Sequence, residues 1–408
     1  MIGSGSRVLP VQSFFEFGLS DMSSAWLLPE HLADVLPAQA RHIEELRRSL
    51  LDVARGFGCE LVMPPLLEHL ESLLSGTGRA LDLKTFKLVD QLSGRTLGVR
   101  ADSTPQVARI DAHLLNRTGV TRLCYCGPVL HTLPSGMNLT REPLQFGAEI
   151  FGHGGLEADL EAQDLLLDCL HAAGLRDLLL DLGDARVVAA VLADEPMSPV
   201  RRSEIYAALA IKDAAAVQSL SKALAREVRD GLQLLVSLYG GFDVLVRARR
   251  HLPDRREITA ALDDLQSLAS HAQLTHPGVR IGFDLADMGG YAYYSGARFA
   301  VFAAGSSDAV ARGGRYDEVG AVFGRSRPAV GFSLDLKQLV LLAPQGRPRG
   351  AIRAPWTGTA SLRAAVRQLR EQGEIVVCAL PGHEHEGQEY DCDRELVGEQ
   401  GQWRVQTL

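Results

Sequence analysis

The chain is short of paired cysteines, of positive charge and of long apolar runs. Its six cysteines, Cys59, Cys124, Cys126, Cys169, Cys378 and Cys392, show no C-x-x-C spacing. A zinc ribbon or a disulfide framework needs clustered pairs, so a reduced cytoplasmic protein is the expectation, with no metal and no cofactor. Lys and Arg number 42 against 50 Asp and Glu, a net charge of −8. That balance speaks against a general nucleic-acid binder, which carries a basic face. No segment approaches the roughly 18 apolar residues of a membrane span. Residues 1–22, "MIGSGSRVLPVQSFFEFGLSDM", hold one Arg and no sustained apolar stretch, a poor signal peptide. They read as an expression leader or an upstream start, with Met22 as the native beginning, and are expected to be disordered. What is abundant is apolar material: 46% of 408 residues are hydrophobic, enough for a large core and two or three domains.

Residues 38–57 carry Ile43, Leu46, Leu50, Val53, Ala54 and Phe57 at helical spacing, closed by Gly58. "CELVMPP" gives a short strand, and "TFKLVDQLSGRTLGV" two strands around Ser93-Gly94. A helix then starts near Ser103 or Thr104, with Ser103 a candidate N-cap and Pro105 tolerated in the first turn. "RLCYCGPVL" and "LQFGAEIF" read as an antiparallel hairpin with a long polar loop through Pro134, Ser135, Gly136 and Asn138. Cys124 and Cys126 share one strand face and are expected in the core. On the first hairpin strand, His131 and Leu133 stand at ligand distance, and neither brings a dependable positive charge. A helix over 156–173, the strand "LLLDLGD" and a helix from Ala185 follow. Residues 196–270 are almost wholly helical in pattern, broken at Gly240-Gly241 and Pro253. Strands return at "VRIGFDLADMGGYAYYSGARFAVFAAG" and "PAVGFSL", so one antiparallel sheet is completed from both sides of a helical insert. The tail holds one clear helix, "SLRAAVRQLREQG", and the strand "EIVVCALPG"; at 63 residues it is small for an independent domain.

Four motifs are candidates for chemistry. "GVRADSTPQVAR" sets Arg100, Asp102 and Thr104 where a strand meets a helix, facing a pocket unless Ser103 merely caps the helix. In "GGYAYYSG", Tyr293 and Tyr294 are adjacent, so strand geometry lets only one join a given pocket. "ARGGRYDEVG" reads as a Gly-Gly turn beside Arg315, compatible with phosphate contact. Gly331 in "PAVGFSLDL" permits close approach of a ligand or another backbone.

Together, "FGCELVMPPLLE", "VRADSTPQVAR", "YCGPVL…REPLQFGAEIFG", "DLADMGGYAYYSG", "GGRYDEVG" and "PAVGFSLDL" resemble the class II histidyl-tRNA synthetase family over about residues 25–340. The resemblance implies an α+β fold, an antiparallel sheet of about six or seven strands flanked by helices. It implies a core over 23–190 and 271–340, a helical insertion over 191–270 and a small α/β segment over 346–408. It also implies a homodimer through the first helix and the "FGCELVMPP" strand. By motif alignment Asp102, Thr104, Gln145, Glu149, Tyr293 and Tyr294 match positions that bind histidine in the synthetases. The ATP-gripping arginines are replaced: His131 and Leu133 stand where an arginine and a glutamate lie on the hairpin. Gln338 replaces a second arginine, and Gly289, with Ala292 for an aspartate, the histidine-proximal one.

Amino-acid activation needs fixed positive groups around a polyphosphate. Arginine supplies them permanently; histidine near neutral pH and glutamine do not. The tail leaves no room for a full anticodon-binding domain, and its acidic "HEHEGQEYDCDRE" would repel RNA. These departures resemble the regulatory-subunit family of ATP phosphoribosyltransferase, non-catalytic relatives of the synthetase. That resemblance implies a short-form catalytic partner in a hetero-octamer, activation of it, and feedback by L-histidine in histidine biosynthesis. It implies no tRNA, no membrane and no catalytic residue in this chain. The alternatives are a working histidyl-tRNA synthetase, with Arg141 or Arg315 recruited, and a stand-alone histidine-binding scaffold.

Overall fold

The computed structural model describes residues 27–74, 78–134, 140–287, 294–317, 319–344, 350–383, 392–399 and 402–408. The leader expected over 1–22 lies outside them, as do Gly289, Ala292 and Tyr293. The chain divides into two compact units, Met1–Pro344 and Gln345–Leu408.

In the first unit, helix α1 (Pro37–Gly56) buries Ile43, Leu46, Leu50 and Ala54, the stripe its spacing predicts. It stops at Gly58, whose φ of +78° suits a residue without Cβ. Strand β1 (Glu60–Leu61) follows. A small antiparallel sheet holds β2 (Leu67–His69), β3 (Lys87–Val89) and β4 (Thr96–Val99), with α2 (Leu70–Leu74) and α3 (Gly78–Lys84) between its strands. Helix α4 (Thr104–Arg109) runs into a π-helical turn, Ile110–Leu115. Ser103 is not its cap: its own backbone is helical and its side chain makes no capping bond. Asp102 Oδ1 instead accepts from the Thr104 N–H at 3.1 Å.

The hairpin strands are β5 (Thr121–Pro128) and β6 (Leu144–Phe151). Next come α5 (Glu157–Ala172), β7 (Leu179–Asp184) and α6 (Ala185–Val191). The helical stretch comprises α7 (Pro199–Ala210), α8 (Ala214–Ser221), α9 (Arg226–Leu235), α10 (Asp243–His251) and α11 (Arg256–Thr275). Its expected break at Gly240 is a two-residue edge strand, β8 (Tyr239–Gly240). The unit ends with β9 (Arg280–Asp284), β10 (Ala297–Phe302), β11 (Ala311–Arg315), β12 (Ala329–Asp335) and α12 (Leu336–Leu342).

The main sheet has nine strands in the order β1-β5-β6-β12-β11-β10-β7-β9-β8. Its six central strands pair antiparallel throughout. The edges add what the resemblance does not imply: β1 and β9 each run parallel to their inner neighbour. On one face, Leu166 and Leu170 of α5 and Leu265 and Leu268 of α11 pack with Phe146, Leu180 and Leu182 in the main core. Each fully buried leucine contributes about 1.5–3 kcal/mol. Cys124 is buried there and Cys126 half-buried beside it, and burial pushes both thiols up to about 11, so neither is reactive. The opposite face, with α4 over Leu123 and Tyr125, holds the candidate site.

Gly313 and Gly314 lie inside strand β11 and not in a turn. A Cβ on Gly313 would meet the Gly331 carbonyl at 2.5 Å, and one on Gly314 the Ala297 carbonyl at 2.7 Å. These glycines serve strand packing.

In the second unit, β13 (Ala351–Ala354), β14 (Val376–Cys378), β15 (Cys392–Glu399) and β16 (Gln402–Thr407) form a sheet ordered β14-β13-β15-β16. Helix α13 (Ala360–Glu371) completes a core of Ile352, Ala354, Leu362, Val366, Val376 and Leu396.

Candidate functional site

Glu149, on β6, is 1% exposed and sits under α4. Its Oε1 accepts from Thr104 Oγ1 at 3.0 Å and from Tyr125 OH at 3.0 Å, and its Oε2 from Tyr316 OH. Burial pushes its pKa up to about 8, against the opposing pull of those hydroxyls, Tyr316 foremost. The carboxyl can occupy this place because its cross-strand neighbour is Gly331, where any Cβ would collide with it. The close approach expected at Gly331 is therefore to a side chain of its own sheet.

Asp102 and Gln145 form a second pair at the mouth of α4. Gln145 Nε2 donates to Asp102 Oδ1 at 2.8 Å, and Gln145 Oε1 accepts from the Ser103 N–H at 2.9 Å. Both ends of the amide are thus fixed, leaving the second carboxylate oxygen of Asp102 outside these bonds. Ser103 Oγ is buried and has no partner among the described residues.

These groups line a cavity of about 670 Å³ on the open face of the sheet. Asp102, Thr104, Gln145, Glu149 and Tyr294 border it together, with His131 and Gln338. Burial raises the pKa of the Tyr294 phenol, so it stays neutral. Tyr293 and Gly289 fall outside the described residues. Leu133 is 71% exposed and does not border the cavity. His131 Nε2 lies 2.9 Å from the Ala101 carbonyl, an N–H donor position, and burial lowers its pKa below the usual histidine value. The imidazole is therefore uncharged at neutral pH. Gln338 Nε2 donates to Ser306 Oγ at 3.4 Å.

Arg100 does not face the cavity. Its guanidinium donates to the carbonyls of Pro128 at 2.7 Å and Pro64 at 3.0 Å, stapling the strand–helix corner. Arg141 donates to the His131 carbonyl at 3.1 Å and lies over the Phe86 ring. Arg315 is buried against Asp159, His153 and Gly155. Neither borders the cavity, so the Arg315 side chain does not supply the phosphate contact expected of it.

Sequence reasoning missed three cations that do border it: Lys84 on α3, Arg298 on β10 and Arg312 on β11. Arg298 is 8% exposed and pairs with Asp287; burial lowers its pKa to about 10, leaving it charged. Arg312 donates to Asp308 at 2.9 Å. An arginine inside the apolar strand "ARFAVF" was the available signal, since a buried charge needs a partner or a ligand.

The fold has known counterparts. A crystal structure titled as an ATP phosphoribosyltransferase regulatory subunit/histidyl-tRNA synthetase from Bacillus halodurans C superposes with a TM-score of 0.77 at 26% identity. The match covers 88% of this chain and 93% of that one. Histidyl-tRNA synthetase from Nostoc sp. PCC 7120 shares the fold, with a TM-score of 0.75 at 18% identity over 92% of both chains. The family model for histidyl-tRNA synthetase matches residues 31–339. That for the ATP phosphoribosyltransferase subunit HisZ C-terminal domain matches residues 349–406. A protein of Variovorax paradoxus (strain S110), named ATP phosphoribosyltransferase regulatory subunit, is 62% identical over 386 residues, 94% of this chain and 100% of its own. The chain belongs to the ATP phosphoribosyltransferase regulatory subunit family. In this regulatory-subunit chain the synthetase-like unit carries the cavity, and the short second unit corresponds to the family's own C-terminal domain. No described helix is long and apolar enough to cross a membrane.

Proposed function

We propose that this chain assembles with a short-form ATP phosphoribosyltransferase catalytic subunit in the cytoplasm, activates it, and makes it inhibitable by L-histidine in the first step of histidine biosynthesis. The assembly is a hetero-octamer built on a homodimer of this chain. The observation that carries the reading is the 62% identity to a regulatory subunit across that protein's whole length. Supporting it, Asp102, Thr104, Gln145, Glu149 and Tyr294 border one cavity, with carboxyl and amide groups suited to an amino acid. Tyr293 completes the proposed ligand set. Aminoacylation is lost in this reading, because His131 and Gln338 offer no permanent charge to a triphosphate.

The second reading, a working histidyl-tRNA synthetase, draws support from Lys84, Arg298 and Arg312 at the cavity. One paired experiment separates the two. The chain is mixed at increasing stoichiometry with a short catalytic subunit, with and without histidine, and is assayed alone for histidine-dependent ATP–pyrophosphate exchange. Activation that histidine reverses, with no exchange, is the expected result. Unchanged partner turnover would overturn the regulatory reading, and robust exchange would establish the synthetase.

A further inference from the structure

On the core side of the sheet, away from the cavity, α5 and the end of α11 bring together residues far apart in sequence. Asp164, Asp168 and His171 lie at i, i+4 and i+7 on α5 and so share a face. Opposite them, α11 supplies His271 and Thr275, and His276 stands at its C-terminal cap. One ligand atom each from Asp168, His171 and His276 lies within 4.8 Å of the other two. The rings of His171 and His276 face each other with centroids 5.4 Å apart.

Two observations distinguish this cluster from an ordinary charged patch. Neither the His171 ring nor the Asp168 carboxylate makes a hydrogen bond or ion pair among the described residues, although His171 is half-buried. Behind them stands a complete supporting shell. Asp164 Oδ1 accepts from Thr275 Oγ1 at 3.1 Å and lies 3.3 Å from His276 Nε2, and Oδ2 accepts from His271 Nε2 at 2.7 Å. With His276 Nε2 beside the Asp164 carboxylate, Nδ1 is the ring nitrogen left to bind an ion. A carboxylate fixing one ring nitrogen while the other binds an ion is how metal-ligating histidines are oriented.

We infer that Asp168, His171 and His276 form a binding site for one divalent transition ion of the Zn²⁺ type, with Asp164 as the residue that orients His276. Two imidazoles and one carboxylate suit such an ion, whereas Mg²⁺ and Ca²⁺ prefer oxygen donors alone. Ligand bonds of about 2.1 Å require donor atoms no more than roughly 4 Å apart, and three protein ligands leave a fourth position for water. Asp168 is partly exposed and His171 half-buried, so rotation of these two side chains closes the gap. The ion would pin α5 to the point where the helical insertion returns to the sheet. Cysteine spacing gave no hint of it, because no cysteine takes part.

The test uses the full chain, stripped with chelator and titrated with Zn²⁺ and, for its visible absorption bands, Co²⁺. The expected result is one tight equivalent, unaffected by excess Mg²⁺, with the Co²⁺ spectrum of a nitrogen–oxygen site. His171→Ala and Asp168→Asn, at positions open enough to leave the fold intact by circular dichroism, should abolish that equivalent. Asp164→Asn, which removes no ligand, should weaken binding by about 10–100-fold. The tail sequence "GHEHEG" is the competing site, so a His383→Ala, His385→Ala double variant must retain the equivalent. Wild type and His171→Ala binding alike would overturn the assignment, as would loss of the equivalent in the tail variant.

Discussion

Removing a carboxyl group from water disfavours its charged form, and at Glu149 three hydroxyl donors only partly offset that cost. The folded-state pKa of about 8 lies above the unfolded value near 4.3. Between those limits the native chain binds more protons than the unfolded one, so its stability falls as pH rises through the window. At lower pH the Glu149 contribution is fully present. Glu149→Gln removes the titration, and the fall in urea midpoint between pH 5.5 and 8 should be visibly smaller in the variant. Equal slopes in the two proteins would show that Glu149 is ionised throughout. The six candidate ligand positions came from motif alignment, and five of the six border one cavity. The hydroxyl partners of Glu149 were not legible, because Tyr125 and Tyr316 reach it only through strand order. Nor was Arg312, whose strand face depends on register that the sequence leaves open, while Arg298 left only the signal of a charge inside an apolar strand.

Strand β11 and helix α5 meet through one buried ion pair. Asp159 and Arg315 have side-chain exposures of 2% and 11%, and the guanidinium also donates to the carbonyls of His153 and Gly155. Burial raises the Asp159 pKa while Arg315 opposes the shift. Asp159→Ala would leave the Arg315 guanidinium with Asp317, which it meets at 3.3 Å, and the two carbonyls, a loss below the roughly 3–5 kcal/mol of a fully orphaned buried charge. We expect the urea midpoint to drop by the equivalent of about 2–3 kcal/mol with an unchanged m-value; a drop under about 1 kcal/mol would mean that Asp317 and the carbonyls suffice. Helix α1 was legible because a 3.6-residue apolar period survives in it almost unbroken. The strand β11 was not, because Gly-Gly in isolation signals a turn. Only the crowding from Phe299 and the Gly331 carbonyl explains why a strand needs glycine there. Ser103 misled for the converse reason: Asp102, one residue earlier, takes the capping bond and presents its carboxylate to the cavity at once.

At the scale of the molecule, Leu61, Met63, Leu66 and Leu67 are exposed by 45%, 74%, 45% and 43% in one short stretch. Apolar side chains clustered on a surface mark an interface. Met63→Glu should shift the proposed homodimer towards monomer in sedimentation equilibrium without lowering the urea midpoint of the monomer; an unaltered dimer would move the interface elsewhere. The sheet order carries a further consequence, in time. Strand β12 inserts between β6 and β11, pairing Gly331 with Glu149 and Asp335 with Gln145, after the whole helical insertion has been made. During synthesis, then, one edge of β6 waits without its partner while the ribosome adds the intervening chain, roughly 10–35 s at ordinary elongation rates. An unpaired edge is open to wrong pairing with other chains. The cavity is likewise incomplete until β12 emerges, so no small molecule held there could guide the first half of the chain to its fold. The cavity therefore exists only in finished molecules.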